Sequence, residues 1–497
     1  MSEREKAQMS DDELDKLLES GLPELPPPDD VVAEVTPWRR ATDRVFAGLA
    51  MTMLTLNFLG LNYIIPAIGI VLMLLGLRTL RRVNGWFRVC FVLTVVRVVQ
   101  FFALCILNTT IYQQTFAQSA AGTALTWFGA ALGLAASVCL WRALCDVRRR
   151  AGADGGADAG AAFVLWYVFV LILAALKYEG IIIPIAMVVA YILIIRGLVK
   201  LSNELEQTGY AIEPVPTRVS DKAIVIAVAA VVTVGVVCGY SFGSSYKMDW
   251  SPVTEAEQGQ QETERRLTGL GFPEDVLSDL APEDLEKLSG AVQVVCDEPE
   301  THEENGGGPE TRNVAVLLSG DGDERWIIIH HFRWNDSRRF TGTECMQIWP
   351  TYRNTPDGWS ASETDDADAV FGRVLYTSGE ESFCAPFWYL GSKSYEYDSM
   401  FWGTRNVTDI FAAFSAPKGR TENLRGYVAY EAICRDPRYI LDSWVNYFHQ
   451  QSWLQYPAVS AMEKSQSGEW STDSTFSITQ YAMQFFRLDD GSIDMAD

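Results

Sequence analysis

An uncharged apolar run occupies residues 223–240 and reads AIVIAVAAVVTVGVVCGY. Its length is close to the roughly 20 residues that a helix needs to cross the hydrocarbon core of a bilayer. Six further apolar runs precede it, at about 45–58, 63–79, 86–107, 122–145, 162–176 and 181–195. We therefore predict that residues 45–240 form an α-helical polytopic membrane domain with about seven transmembrane helices.

Two pairs of these runs are separated by very short breaks. The first pair breaks at Gly60, Asn62 and Pro66, and the second breaks between Lys177 and Gly180. Such spacing predicts two helical hairpins, because glycine and proline interrupt a helix and the polar residues favour a turn. Both halves of the first pair are short, so a re-entrant pair that does not cross fully is an alternative.

Basic residues cluster at one set of run ends. With seven crossings, all of them fall on a single side: Arg39, Arg40, Arg44, Arg78, Arg81, Arg82, Arg148, Arg149, Arg150, Arg196, Lys200, Arg218 and Lys222. Cytoplasmic loops carry the excess of lysine and arginine in membrane proteins. The sequence therefore predicts a multi-pass cell-membrane protein with a cytoplasmic N-terminus and an extracytoplasmic C-terminal domain.

The charge of the chain follows the same division. The net charge of −23 is the sum of −6 over residues 1–44, +6 over residues 45–240 and −23 over residues 241–497. A strongly acidic outer domain argues against a nucleic-acid partner, which would require a basic surface. The lipid bilayer is the partner that the apolar block predicts.

Four segments follow from these boundaries. Residues 1–44 form an acidic, partly disordered cytoplasmic arm, residues 45–240 the membrane domain, residues 241–290 a stalk with short helices, and residues 291–497 an extracytoplasmic domain. Within the arm, residues 10–21 read as a short amphipathic helix that would dock a cytoplasmic protein, and a solvated tail is the alternative. This layout is similar to that of membrane regulators of sigma factors, and the likeness ends at the layout.

An internal repeat is a further hypothesis. The 21 residues that begin at Ile64 match those that begin at Ile182 at seven positions, including Pro66 with Pro184 and Arg78 with Arg196. With four spans between the copies, the repeat would be parallel. Chance similarity between two apolar helices is the alternative, since such helices draw on few residue types.

Arg97 is the strongest candidate for a functional residue inside the membrane block, with Gln100 one turn away. A charge near the middle of an apolar run is costly and marks a functional site by default. An arginine that only bonds helix carbonyls inside the bundle is the alternative.

From about residue 291 the sequence predicts an all-β antiparallel sandwich of jelly-roll type, preceded by two short helices that begin at Pro273 and Pro282. Short runs rich in valine, isoleucine and aromatic residues alternate with turn sequences such as SGDGD and NTPDG. Ten of the 15 tryptophans lie after residue 240. Exposed tryptophans stack on sugar rings, so an extracellular glycan or cell-wall ligand is predicted. Trp359 and Trp470 are its predicted contacts, because they lie in turn-like sequence where a side chain is expected to be exposed.

Cys296, Cys345, Cys384 and Cys434 form an even set in the outer domain. Disulfides persist outside the cell, so disulfide bonds among these four are predicted, in any of three full pairings, with free buried thiols as the alternative. The chain contains no recognisable catalytic motif, metal-binding motif or cofactor fingerprint, and we predict that it is not an enzyme.

Two hypotheses of function follow. The preferred one is a membrane protein that displays a ligand-binding or sensing sandwich, with signal relay through the arm. The alternative is a transporter whose outer domain captures the substrate, motivated by the repeat and Arg97. An extracellular hydrolase has the least support.

Overall fold

The computed structural model describes residues 37–53, 60–152, 157–178, 180–212, 218–253, 261–300, 308–320, 322–336, 338–361, 369–399, 403–468, 472–488 and 490–496. The chain divides into two compact units. The first comprises Met1–Cys105 and Ser119–Val232, and the second comprises Ile106–Gln118 and Thr233–Asp497. The predicted docking segment at residues 10–21 lies outside the described residues.

Helices account for the chain between residues 37 and 243. They are α1 (Pro37–Met53), α2 (Leu61–Leu80), α3 (Gly85–Leu107), α4 (Gln113–Gln118), α5 (Ala120–Arg150), α6 (Asp158–Ala175), α7 (Ile182–Gln207) and α8 (Asp221–Gly243). Six of the described helices are long and apolar enough to cross a membrane: α2, α3, α5, α6, α7 and α8. The predicted number of about seven is therefore wrong by one.

The discrepancy arises at the first apolar run, residues 45–58. Its described part belongs to α1, which begins eight residues earlier and carries Arg39, Arg40, Asp43 and Arg44 near its start. The buried residues of α1 recur every three or four positions along one face, so this helix is amphipathic rather than apolar on all sides. Its opposite face is charged over the first two turns, at residues that precede the apolar run, and a sequence window centred on the run does not include most of them.

Glycines bring α1 and α2 into close antiparallel contact. A Cβ atom on Gly69 would lie 2.7 Å from the carbonyl oxygen of Gly48, and one on Gly76 would lie 2.6 Å from that of Ala41. Only a residue without a side chain allows two helix backbones to approach so closely. At the basic end of this hairpin, Arg44 Nη1 and Arg78 Nη1 lie 2.7 Å and 3.0 Å from the carboxylate of Asp221, the first residue of α8.

The prolines and arginines that define the proposed repeat occupy unlike environments. Pro66 lies inside α2, whereas Pro184 lies in the first turn of α7. Arg78 is buried and bonded to Asp221, whereas Arg196 is exposed.

Most of the apolar helix surface in the first unit is not covered by protein. In the most apolar windows of α6 and α7 only 11% of the residues are buried, and in that of α8, which has a mean hydropathy of 2.5, none is buried. Leu165, Ile185 and Val188 are all more than half exposed.

The second unit is a two-layered antiparallel β domain with helices on its outer faces. Its helices are α9 (Gln261–Gly269), α10 (Glu274–Leu277), α11 (Pro282–Lys287), α12 (Thr351–Asn354) and α13 (Ala461–Gln466). The two short helices predicted at Pro273 and Pro282 are present: Pro273 precedes α10 directly, and Pro282 is the first residue of α11.

Fifteen described strands build the two sheets. They are β1 (Ser251–Pro252), β2 (Ala291–Cys296), β3 (Glu310–Leu318), β4 (Glu324–Arg333), β5 (Arg338–Arg339), β6 (Glu344–Trp349), β7 (Trp359–Ala361), β8 (Val370–Ser378), β9 (Glu381–Ala385), β10 (Tyr389–Ser399), β11 (Gly403–Phe414), β12 (Arg420–Cys434), β13 (Leu441–Gln450), β14 (Phe476–Arg487) and β15 (Ile493–Met495).

The first sheet has the order β1-β9-β8-β12-β4-β3-β2, with β5 and β7 also paired to β12. The second sheet has the order β10-β11-β6-β13-β14-β15. All pairings are antiparallel. Meanders such as β2-β3-β4 and β13-β14-β15 alternate with crossings between the sheets, and this order differs from the two Greek keys of the predicted jelly roll.

Alternation along the strands assigns each side chain to one layer. In β4, Trp326, Ile328 and Phe332 face the second sheet, whereas Ile327 and Ile329 face helices α9 to α11. This two-residue period is what a strand buried on both faces requires. A further buried apolar cluster lies on the outer side of the second sheet, where α13 covers Cys345, Phe411 and Phe448.

The connection between α3 and α5 is built into the second unit. Ile111 is buried with Tyr246, Phe448 and Phe476, and the backbone N–H of Ala458 donates to the carbonyl oxygen of Asn108 at 2.7 Å. Glycines at positions 235, 239 and 243 of α8 lie directly against Ile106, Thr109 and Thr110.

We expect that Gly69→Leu will destabilise the first unit by about 1–3 kcal/mol, because the larger side chain would overlap the backbone of α1. A lower melting temperature of the full chain in detergent would report this change. Gly85→Leu is the matched control, since nothing lies within 4 Å of a Cβ atom at Gly85. Equal melting temperatures for the two variants would contradict the tight α1–α2 contact.

Candidate functional site

The structure places the two predicted ligand-binding tryptophans differently. Trp359 is only 3% exposed, so the prediction that it is an exposed ligand contact is wrong. It begins β7, which pairs with β12, and its ring packs edge-on against Trp326 at 6.4 Å between centroids. The turn-like residues around it are those of a strand end. Trp470 lies outside the described residues.

The four cysteines of the outer domain are free thiols in the structure, so the predicted disulfides are not formed. The strand order explains this, because β9 with Cys384 and β2 with Cys296 lie toward opposite ends of the first sheet. Cys434 is buried in the core between the sheets, and Cys345 lies in the separate core outside the second sheet.

Arg97 and Gln100 are both half-buried on α3 but do not form one site. Gln100 Nε2 donates to the carbonyl oxygen of Leu125 at 3.0 Å, and the amide fills the space beside Gly129. Arg97 is close enough to Cys90 and Tyr191 to interact with them electrostatically. Among the residues that the structure describes, no carboxylate lies within ion-pair distance of Arg97.

A different group of side chains forms the best candidate site. The outward-facing side of the second sheet carries what we name the amide–tryptophan cluster: Gln347, Trp349, Asp409, Trp444 and Asn446. Strand register brings it together, because Trp349 is the partner of Trp444 and Gln347 is the partner of Asn446 on neighbouring strands β6 and β13. The two tryptophan rings lie 6.5 Å apart with an angle of 49° between their planes.

Asp409 anchors one side of this cluster. Its Oδ2 atom accepts hydrogen bonds from Gln347 Nε2 at 2.7 Å and from the Tyr395 hydroxyl at 2.6 Å. Arg353 forms an ion pair with the same carboxylate and lies 4.5 Å from the centroid of the Trp349 ring. Burial raises the pKa of Asp409 above its ordinary value, although Arg353 and the two hydrogen-bond donors lower it.

Two amide atoms of the cluster lack a hydrogen-bond partner. Gln347 Oε1 and Asn446 Nδ2 are both buried and unpaired among the described residues. The other end of each amide is engaged: Gln347 Nε2 also donates to the Tyr395 hydroxyl at 2.8 Å, and Asn446 Oδ1 accepts from Gln480 Nε2 at 2.8 Å. A buried polar group without a partner costs about 1–3 kcal/mol, so such groups require an explanation.

The pair of orphaned atoms is complementary to a hydroxyl group. An acceptor and a donor stand on directly opposed residues, and a hydroxyl can donate to the first and accept from the second. Hydroxyl recognition beside a tryptophan pair is the chemistry of a saccharide or polyol ligand. Sequence reasoning missed this cluster because its members come from three strands, and only the polar residues at strand-interior positions of β6 and β13 could have signalled it.

A second polar system crosses the interior of the sandwich. The Asn313 side chain donates from Nδ2 to Asp297, so its Oδ1 atom accepts from His330 Nδ1 at 2.6 Å. His330 Nε2 then accepts from the Ser443 hydroxyl at 2.8 Å, and this hydroxyl in turn accepts from Tyr430 at 2.8 Å. The histidine tautomer follows from this one-way sequence of donors.

This order of groups resembles that of a nucleophilic triad, but its position differs. Ser443 and His330 are both fully buried between the two sheets. A nucleophile must be reached by its substrate, so this network stabilises the core rather than catalysing a reaction. Burial lowers the pKa of His330 to about 3 and raises that of Asp297 to about 6.

His331 belongs to the opposite face of β4, as the alternation of side chains along a strand predicts. Its Nε2 atom lies 2.9 Å from Asp279, which also accepts from Arg425 at 2.7 Å. Burial raises the pKa of Asp279, but the hydrogen bond and charge of His331 together with Arg425 outweigh it, so that the pKa lies below its ordinary value. This ion cluster joins the helical layer to the first sheet.

In the described part of the chain, no three His, Cys, Asp or Glu side chains are grouped closely enough to bind a metal ion.

No protein-family model matches the sequence, and no curated protein is detectably similar to it. One solved structure that aligns with the chain is described as "Pore forming protein". It shares 8% identity, covers 41% of this chain and 95% of its own, and has a TM-score of 0.21, which carries no argument.

The buried imidazole predicts a pH dependence of stability. His330 has a folded pKa of about 3, below the value of about 6.5 that it has when unfolded. The unfolded state therefore binds one more proton at this site between these values, and the contribution of His330 to stability is lost as the pH falls below about 6.5, with a limiting slope of about 1.4 kcal/mol per pH unit. Asp297 partly offsets this loss below about pH 6, because its raised pKa favours the folded state as it is protonated.

We expect His330→Gln to flatten this part of the pH profile, because glutamine does not titrate. Melting temperatures of both full-length proteins between pH 7.5 and pH 4.5 check the expectation. The melting temperature of each protein at pH 7.5 is the reference for its own change with pH. Parallel profiles for the two proteins would show that His330 does not carry the acid sensitivity.

Proposed function

We propose that the chain is a multi-pass membrane protein that presents its antiparallel β domain outside the cell as a ligand-binding or sensing module. Its ligand class is a saccharide or polyol, such as a glycan of the cell envelope, and the amide–tryptophan cluster is the binding site. The N-terminal arm lies in the cytoplasm, where residues 10–21 would dock the protein that receives the signal.

One observation carries the proposed topology: the connection between α3 and α5 is part of the second unit. The chain enters that unit at the C-terminal ends of α3 and α8 and leaves it at the start of α5. The basic residues lie at the other ends of these helices, at Arg148–Arg150 in the last turn of α5 and at Arg218 and Lys222 before or within the first turn of α8. The positive-inside rule then assigns the second unit to the outside.

The exposed surfaces of the six apolar helices support the proposal that the chain crosses a membrane. A helix of 23 residues such as α3 or α8 is about 35 Å long, which exceeds the hydrocarbon core of about 30 Å. Exposure of this apolar surface to water would be unfavourable, whereas the hydrocarbon of a bilayer solvates it. In this arrangement α1 packs against α2. The ion-paired arginines near the start of α1, Arg39 and Arg44, then lie at the cytoplasmic surface.

The assignment of the ligand rests on the amide–tryptophan cluster. Saccharides offer hydroxyl groups that donate and accept at once and ring faces that stack on tryptophan. The orphaned Gln347 Oε1 and Asn446 Nδ2 meet the first property, and the half-buried rings of Trp349 and Trp444 meet the second. Both amides are fully buried in the ligand-free chain, so the proposal requires the side chains that cover them to move aside when the ligand binds. Acidic surroundings, at a net charge of −23 over residues 241–497, favour a neutral ligand over an anionic one.

We expect a membrane-impermeant maleimide to label intact cells at Cys296, which is an exposed free thiol of the second unit. A cysteine introduced by Arg149→Cys should react only after the membrane is permeabilised, because Arg149 lies in the basic last turn of α5. Mass spectrometry of the labelled peptides gives both results.

Cys296→Ser is the control for the first site, since its peptide must lose the label. Labelling of position 149 in intact cells, together with protection of Cys296, would reverse the proposed orientation. Labelling of both sites in intact cells would contradict the membrane topology as a whole.

We expect the full-length protein in nanodiscs to bind a subset of glycans on an array, and Trp444→Ala to weaken that binding by at least about tenfold, or about 1.4 kcal/mol. The loss arises because the alanine variant has no ring on which a sugar can stack. Isothermal titration with the selected glycan gives the affinity.

Trp388→Ala is the matched control. Trp388 is 47% exposed and stacks on Tyr246 at 4.1 Å between ring centroids, and neither residue is a member of the cluster. Equal losses in the two variants would show that the cluster is not the site, and an array without any bound glycan would contradict the proposed ligand class.

A further inference from the structure

Large apolar side chains protrude from the connection between β13 and β14. Trp453 is 54% exposed, Leu454 is 62% exposed, and Tyr456 follows them at 38%. Isolated apolar residues are common on protein surfaces, whereas a group of neighbouring ones marks a surface that is normally covered. We name residues 453–456 the apolar tip.

The apolar tip is fixed to the C-terminal end of α8. The Tyr240 hydroxyl donates to the carbonyl oxygen of Gln455 at 2.6 Å, and the Tyr240 ring meets the Trp453 ring edge-on at 5.8 Å between centroids. All three residues belong to the second unit. The tip therefore lies beside the last turn of an apolar helix and is held there by a direct hydrogen bond.

The same helix end carries a lysine and a further exposed ring. Phe242 is 79% exposed, and the amino group of Lys418 lies 5.7 Å from the centre of its ring. Lys418 also donates to the carbonyl oxygen of Ser241 near the C-terminus of α8. Aromatic side chains with a lysine at the end of an apolar helix are the composition of a membrane–water interface.

A recess of about 460 Å³ opens among these groups. Its lining combines the Lys418 amine with the side chains of Tyr240, Ser244, Thr341 and Trp453. The Lys418 ammonium, which has three protons and donates one to Ser241, suits the phosphate of a phospholipid beside the Trp453 ring, and the neighbouring acyl chains would contact Leu454.

We propose that the apolar tip inserts into the bilayer interface beside the C-terminal end of α8, among phospholipid headgroups, and so anchors the β domain to the membrane surface. This inference rests on the proposed function in one respect, namely that α8 crosses a membrane. It is independent of the glycan ligand and of the amide–tryptophan cluster.

Photo-crosslinking to lipid tests the proposal on the full-length protein. A benzophenone amino acid is placed separately at Leu454, at Val234 in α8 and at Val292 in β2, and each protein is reconstituted into vesicles of radiolabelled phosphatidylcholine. Val234 is 63% exposed and reports whether α8 lies in lipid, whereas Val292 is 44% exposed and serves as the matched apolar control on the β domain.

We expect lipid adducts at Leu454 and Val234 and background at Val292. Adducts at Val234 without any at Leu454 would overturn the inference and leave the membrane crossing intact. Background at Val234 would contradict the proposed function itself, and equal adducts at all three positions would overturn the inference by showing contact without specificity. Leu454→Asp, combined with the benzophenone residue at Trp453, should lose the adduct because a carboxylate opposes insertion.

Discussion

The contact between the glycines of α8 and the end of α3 is the interaction on which the organisation of the chain depends. Gly235, Gly239 and Gly243 recur every four residues, so they form one groove along α8, and Ile106, Thr109 and Thr110 occupy it. This contact joins two helices that are separated by more than 100 residues in sequence. It delivers the loop that follows α3 to the β domain, where Ile111 completes a buried core.

The sequence predicts those parts of the structure that depend on composition over a long window. Apolar runs, their basic flanks and the change to alternating strands after residue 290 are of this kind, and each corresponds to an element of the structure. The miscount at α1 has the opposite origin. Whether a run of residues 45–58 is an apolar helix or one face of an amphipathic helix depends on residues 37–44 and on the packing partner α2.

The candidate site could not be predicted because strand pairing creates it. Gln347, Asp409 and Asn446 are far apart in the chain, and each of them alone resembles an ordinary polar residue in a strand. Trp359 failed as a prediction for a related reason, since glycine and serine neighbours predict a turn but do not reveal that β7 pairs with β12. The cysteines likewise depend on sheet order, which local sequence does not encode.

The two polar systems of the β domain differ in a way that separates stability from recognition. In the network of Ser443, His330 and Asn313, each group donates a hydrogen bond to the next, so the buried polar atoms along it are paired and specify the core. In the amide–tryptophan cluster the series of hydrogen bonds ends at Gln347 Oε1 and Asn446 Nδ2, which have no partner within the described ranges. A core selected for stability alone would favour replacing such atoms by apolar ones, because the unpaired groups cost free energy in the unliganded protein. In the proposed function a ligand hydroxyl pairs with both atoms, so this free energy is recovered on binding and adds to the affinity.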